Sequence, residues 1–336
     1  MTGACGTVGQ ELVRQLLEGV EIESLVGADH NETELMFLDE RYRGRANTRF
    51  VLCDVRDNEA LLRETRHIDV LFHAAAYKHV YICERSPLEA VQTNILGVQN
   101  VLRAALENGV ERLVFTSTDK AVNPTNVMGT SKLMGERLVT AAAMNSYRPG
   151  TIFVSTRFGN VLGSRGSVIP LFLGQIRRGG PVTLSDPRMT RFIMSLDEAV
   201  RLVIESVVNG KPGDVLITKM PAINIADLAA VLVREYAPLC GRRADDIEIK
   251  TVGPKAGEKF FEELMNDEET RRSIELERYF VVRPALLRAG HPPAYDAMVA
   301  EQVQKPYNSA NEVPLSQETL TRFLHQNKLI DASLDH

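Results

Sequence analysis

The sequence predicts a doubly wound parallel α/β sheet followed by a smaller α/β lobe. Three observations carry that expectation. Short β-branched or aromatic runs alternate with helix-period stretches up to about residue 157. A glycine-spaced turn at Gly3, Gly6 and Gly9 opens the first of those helices. An acid, Asp29, closes the next strand-like run, twenty residues beyond Gly9. Such alternation is the pattern of crossover units, whose helices cover both faces of a parallel sheet. At 336 residues the chain exceeds the size, about 250 to 300 residues, at which one core stops growing, so two lobes are expected. They are placed at 1–157 and 158–336, with segments of the second interleaved with the first.

Met1-Thr2-Gly3-Ala4-Cys5-Gly6-Thr7-Val8-Gly9 leads into the helical pattern Leu12, Val13, Leu16, Leu17. Glycines at this spacing let the backbone from Gly3 through Gly6, Thr7, Val8 and Gly9 approach a pyrophosphate, whose charge is favoured at a helix amino end. The carboxylate of Asp29 suits the two hydroxyls of an adenosine ribose and repels a 2′-phosphate, so NAD is favoured over NADP. The alternative is that Asp29 caps the next helix, a role equally open to Asn31. Such a loop follows a strand of several apolar residues, yet only Met1 and Thr2 precede Gly3. The first strand is therefore expected to be cut short, by start-site assignment or by trimming.

The run Phe50 to Cys53 ends at Asp54-Val55, where an acid and a backbone amide can address an adenine edge; a plain turn with Asp57 capping the next helix explains it as well. Val70 to His73 leads into Ala74-Ala75-Ala76, whose small side chains let a cofactor pass close to the backbone. His73 reads as a core histidine, while Lys78 and His79 project from the strand end as ligand contacts. From Pro87 one amphipathic helix carries Leu88, Val91, Ile95, Val98, Leu102 and Ala105 on one stripe, expected to be mostly core. This helix and the one after Val127 are also the surfaces on which a second subunit is expected.

Leu113-Val114-Phe115 has the character of a buried strand and opens into Thr116 to Lys132, a strand-to-helix turn. Ligands bind at such carboxyl ends in open α/β sheets. The turn sets a hydroxyl, an acid and an amine side by side, Thr118, Asp119 and Lys120, with a second amine, Lys132, further along the helix. Farther on, Arg157, Asn160 and Arg165, then Arg188 and Arg191, supply guanidinium forks that suit a diphosphate; an ordinary solvated surface is the alternative for each. Glu258, in Gly257-Glu258-Lys259, either reaches a ribose or sits in a surface turn.

Bulk composition excludes several classes. The chain is 44% hydrophobic and 25% charged, ordinary for a globular protein, and its net charge of −5 argues against nucleic acid or an anionic membrane as the main partner. Four separated cysteines, Cys5, Cys53, Cys83 and Cys240, point to neither a zinc site nor a disulfide framework, and so to a reducing, cytoplasmic setting. No run approaches the ~18 apolar residues of a membrane span, and no metal is expected.

Thr2-Gly3-x-x-Gly6-x-x-Gly9, Ala74 to Val80, Ser117 to Pro124, Arg157 to Val161, Ser164 to Pro170 and Met189 to Phe192 occur in this order. Together they resemble the extended short-chain dehydrogenase/reductases that act as nucleotide-sugar 4,6-dehydratases, above all the UDP-N-acetylglucosamine 4,6-dehydratases of polysaccharide and protein-glycan biosynthesis. The resemblance runs through Gly257-Glu258-Lys259 and implies a Rossmann-type sheet, a nucleotide-sugar lobe, bound NAD and a homo-oligomer. In that superfamily a Tyr-x-x-x-Lys pair assists hydride transfer, but the positions here read Met128-Gly129-Thr130-Ser131-Lys132. A thioether cannot carry the proton; some family members are similar in having methionine there.

The resemblance implies an internal hydride cycle and Lys132 on the nicotinamide ribose; for that chemistry Lys120 is assigned as the base at C5, Asp119 as the acid for the departing 6-hydroxyl, and Thr118 as relay for the 4-hydroxyl proton with Asp119 as acceptor. Lys78, His79, Arg157, Asn160, Arg165, Arg191 and Glu258 are the expected substrate contacts. Pairing of Asp119 with Lys120 in a mere turn stays open. So do two other readings: a nucleotide-sugar 4-epimerase, which would look for the missing tyrosine, and a non-catalytic nucleotide-sugar-binding regulator.

Overall fold

Five of the apolar runs form parallel strands in the computed structural model, which describes residues 1–145, 150–164, 166–254, 257–286 and 294–330. They are β1 (Leu25–Asp29), β2 (Thr48–Leu52), β3 (Val70–His73), β4 (Arg112–Thr116) and β5 (Ile152–Arg157). β1 pairs with β2, β3 with β4 and β4 with β5, all parallel. Met1 and Thr2 hold the central position between β1 and β3: Ala28 N donates to Met1 O at 2.9 Å and Thr2 N to Phe72 O at 2.9 Å.

The chain divides into two compact units, 1–158 with 199–219 and 264–306, and 159–198 with 220–263 and 307–336. In the first unit the strand Val215–Thr218 continues the sheet parallel to β5, and Tyr279–Val282, Ser273–Leu276 and Met298–Ala300 extend it antiparallel. Val215-Leu216-Ile217, within the 158–336 span expected to form mainly the smaller lobe, thus belongs to the first unit's sheet.

Helices α1 (Thr7–Gly19), α2 (Glu32–Arg41) and α3 (Asn58–Glu64) follow the first turns, with Asn31 capping α2 through Glu34 N and Asp57 capping α3 through Ala60 N. The core joins Leu61, Val98, Val101, Leu113, Phe115, Val139 and Phe153. Each such side chain contributes about 1.5–3 kcal/mol by leaving water.

The helix expected from Pro87 is not continuous. Pro87–Val91 passes into a π-helical turn, Gln92–Leu96, before Gly97–Asn108 resumes and ends at Gly109 in the left-handed region. The wider turn shifts the phase of the apolar stripe. Val98, Leu102 and Ala105 are core, whereas Leu88 and Val91, expected there too, are exposed.

In the second unit Ala222–Asn224, Thr190–Met194 and Asn160–Val161 form one small sheet, and Ile249–Thr251 pairs with Val182–Leu184. Helices Val168–Arg177, Ile225–Tyr236 and Gln317–Gln326 bury Ile169, Phe172, Leu228, Leu232, Leu320 and Leu324 in its core. No helix among the described residues is long and apolar enough to cross a membrane.

Candidate active site

The glycine turn is built so that no side chain stands in it. A Cβ on Gly9 would lie 2.0 Å from Gly3 O, and one on Gly3, whose φ is +76°, would lie 2.6 Å from Ala75 N. α1 begins with no side-chain cap and no acid in its first turn, which leaves amides at Thr7, Val8 and Gly9 without an intrahelical partner. A bare backbone cradle of this kind fits a dinucleotide pyrophosphate. Asp29 does not cap α2. Its Oδ2 accepts from Cys5 N at 2.9 Å and its Oδ1 from Asn31 N at 3.0 Å, so the acid braces the glycine turn from the end of β1. Asp54 is held by the Arg56 guanidinium, which keeps its carboxyl below the usual range. Val55 is buried with its carbonyl bonded by Asn100, while Ala74, Ala75 and Ala76 run as irregular backbone past Gly3. Lys78 is exposed, and His79 is exposed at the start of the helix Val80–Arg85.

Beyond β4 the chain makes a single 3₁₀ turn, Asp119–Ala121. Asp119 is enclosed. Its Oδ1 accepts from Thr118 Oγ1 at 2.7 Å and Lys120 Nζ at 2.9 Å, and its Oδ2 has no hydrogen-bond partner among the described residues. Thr118 and Lys120 are partly exposed. The pairing of Asp119 with Lys120 is therefore present, and the carboxylate reaches the surroundings through its two neighbours. A direct contact of Asp119 with a departing hydroxyl is not available in this arrangement, because its side chain exposes no surface.

The following helix, Val127–Asn145, carries Met128 and Lys132. Met128 packs with Cys83 and Ala90, flanked by Tyr77 and Val80. Lys132 is 6% exposed, donates to Thr116 O at 2.6 Å and lies 4.1 Å above the centre of the Phe115 ring. Burial lowers its pKa to about 7, opposed by the charge of Glu136. His73 is a buried neutral histidine, as expected, its pKa lowered to about 3 by burial and then by Lys132. It is bonded through Nδ1 to Thr2 Oγ1 at 2.7 Å, but Nε2 has no partner among the described residues.

Sequence reasoning missed Asn94. From the π-helical turn its side chain accepts from Tyr77 N at 2.8 Å and donates to Tyr77 O at 2.9 Å and Ser131 Oγ at 2.9 Å. It ties the Ala74–Tyr77 backbone to the helix bearing Lys132. A polar residue within an apolar helical stripe was the available signal.

Arg157 corrects one expectation. It was assigned to the substrate, yet it is 1% exposed and all of its donors are engaged inside the first unit. Nε and NH2 bind Glu136 at 3.0 and 2.6 Å, NH1 and NH2 bind Glu269 at 2.9 and 3.0 Å, and NH1 also binds Leu264 O at 2.8 Å. No group is left to meet a diphosphate. In the second unit Asn160 opens its short strand. Arg191 there is buried, donates to Thr190 O at 2.7 Å and Lys259 O at 2.9 Å, and stands 3.6 Å from Glu262 and 4.0 Å from Glu258. It frames the Glu258 turn. Arg165 lies outside the described residues.

Comparison with known proteins adds relationships. Residues 1–284 match the family described as polysaccharide biosynthesis protein. An uncharacterized membrane protein of Methanocaldococcus jannaschii is 47% identical over 84% of this chain and 85% of its own length. A UDP-glucose 4-epimerase of Rickettsia canadensis is 38% identical over 83% and 81%. An inverting UDP-N-acetylglucosamine 4,6-dehydratase of Campylobacter jejuni is 36% identical over 85% and 82%. The crystal structure of Pen from Bacillus thuringiensis matches with a TM-score of 0.90 at 37% identity, covering 98% of this chain and 97% of that one.

Proposed function

Because the chain belongs to the polysaccharide biosynthesis protein family of extended short-chain dehydrogenase/reductases, we propose that it is a nucleotide-sugar 4,6-dehydratase. Its substrate in this reading is UDP-N-acetylglucosamine or a similar nucleotide-linked N-acetylhexosamine, and the product is the 4-keto-6-deoxy sugar. The observation that carries it is the Thr118-Asp119-Lys120 cluster at the carboxyl end of β4, beside a Met128 that cannot move a proton. A 4-epimerase has no use for an acid and a base at C6 and C5.

When bound, NAD supplies a hydride acceptor and returns the hydride within one cycle, so nothing is oxidised overall. The residues present fit it: the side-chain-free turn at Gly3, Gly6 and Gly9 for the pyrophosphate, Asp29 for the adenosine ribose and Lys132 for the nicotinamide ribose. Thr118 Oγ1 receives the proton of the sugar's 4-hydroxyl as its own passes to Asp119 Oδ1. The resulting 4-ketone acidifies the C5 proton, which the neutral amine of Lys120 removes. The 6-hydroxyl leaves as water, taking back through Thr118 the proton stored on Asp119. Lys120 returns its proton to C5 at the end of the cycle. Each proton-transfer group contributes about 10²- to 10⁴-fold.

The Rickettsia relative favours the second reading, 4-epimerisation. A proton NMR time course with UDP-N-acetylglucosamine in deuterated water separates the two. A new C6 methyl signal with deuterium at C5 sustains dehydration; a 4-epimer without a methyl signal overturns it. In this reading the protein is also a homo-oligomer, supported by Tyr81, Ile82, Leu88 and Met134 exposed on neighbouring helical segments of the first unit. Light scattering tests that.

A further inference from the structure

The active-site amine Lys132 is buried in a place that should discharge it. Its Nζ has a carbonyl, Thr116 O, and the face of Phe115 for company, and burial disfavours a charged amine. One helical turn further along lies Glu136, 3% exposed and on the same face of the helix. That carboxylate cannot drift, because Arg157 grips both oxygens, Nε on Oε1 at 3.0 Å and NH2 on Oε2 at 2.6 Å. Arg157 is anchored in turn by Glu269, which completes a capping box with Asn266 at the start of the short helix Asp267–Thr270.

We propose that Glu136, clamped by Arg157, is a positioning residue for Lys132: it holds a fixed negative charge one turn away and keeps the amine cationic inside the fold. The inference rests on Lys132 being the lysine that meets the nicotinamide ribose. Other groups facing this part of the helix have different effects. His73 on β3 is neutral, Asp119 and Lys120 beyond β4 are bonded to each other, and the π-helical turn brings the uncharged Thr93 and Asn94. Glu84 bonds Val127 N at the helix start, and Arg157 on β5 is taken up by its two carboxylates. Glu136 is the carboxylate whose charge raises the Lys132 pKa against burial.

The test is the titration of Lys132 in the whole protein without substrate, followed by NMR of lysine labelled with ¹³C at Cε and assigned by loss of the signal in Lys132→Met. Glu136→Gln is expected to lower the midpoint by about one pH unit or more, since a charge at helical-turn distance is worth that in a protein interior. Glu136→Asp sets the carboxylate back by one methylene; the expected fall is smaller, and this variant decides the matter if the glutamine protein does not fold. Titration calorimetry with NAD at pH 8 should show weaker binding to Glu136→Gln, recovering toward pH 6. A midpoint unmoved in the folded variants overturns the proposal. A shifted midpoint with no keto sugar formed upholds it and overturns the dehydratase reading, and a keto sugar with no shift does the reverse.

Discussion

Thr118 Oγ1 stands 2.7 Å from Asp119 Oδ1, on a carboxylate whose other oxygen is enclosed without a hydrogen-bond partner among the described residues. An oxygen left so costs roughly 1–3 kcal/mol, whereas Oδ1 has the Thr118 hydroxyl with which to exchange a proton. The pair is thus arranged to accept a proton and release it. Asp119→Asn and Thr118→Val should each lower kcat for keto-sugar formation by about 10²- to 10⁴-fold while NADH binding persists. Wild-type turnover in either variant would remove these residues from the mechanism.

Met128 fills a buried cluster with Cys83 and Ala90. Met128→Tyr, which restores the superfamily's usual residue, should overpack it and cost about 1–3 kcal/mol in urea unfolding. Met128→Leu should cost less than about 1.5 kcal/mol and retain activity. A large activity loss in the leucine variant would mean that the thioether itself is needed.

At Gly9 a Cβ would come within 2.0 Å of Gly3 O. Gly9→Ala should abolish NADH binding, read by fluorescence titration, because the turn can admit the methyl group only by opening. Tight binding in that variant would place the dinucleotide elsewhere.

The Arg157 guanidinium serves two buried carboxylates, Glu136 and Glu269. Arg157→Met should destabilise the protein by about 3–5 kcal/mol, since Glu136 loses its bonded guanidinium and Glu269 keeps only Arg272, at 3.9 Å. Unfolding in urea measures it; a loss of substrate affinity at unchanged stability would return Arg157 to the ligand site.

Asp214 is buried at the turn before Val215, with Tyr295 OH donating to both its oxygens at 3.1 and 3.0 Å. Burial raises its pKa to about 7, above roughly 3.9 in the unfolded chain. A raised folded-state value means stability present at low pH and lost as pH rises, here from about pH 4 until the carboxyl ionises near 7. Asp214→Asn should therefore be more stable than wild type at pH 8, with the gain vanishing near pH 4. Thermal unfolding across that range would show it, and a pH-independent difference would contradict the assignment.

Much of the first unit was legible because its signals are local. Glycine spacing, apolar runs and an acid at a strand end follow from backbone sterics and strand burial, and β1 to β4 overlap the runs that predicted them. Local signals failed where one element answers to another. The stripe from Leu88 lost its phase at a π-helical turn, which carries Asn94 into its clasp on Tyr77.

By itself, then, the sequence determined the parallel sheet, the glycine turn and the side-by-side Thr118, Asp119 and Lys120, all written in residues near one another in the chain. Only the tertiary structure decided that Asp119 is enclosed and reached through its neighbours, and that Arg157 turns inward. Burial and ion pairing depend on partners as distant in sequence as Glu136 and Glu269, whose proximity to Arg157 exists once the strands and helices have packed.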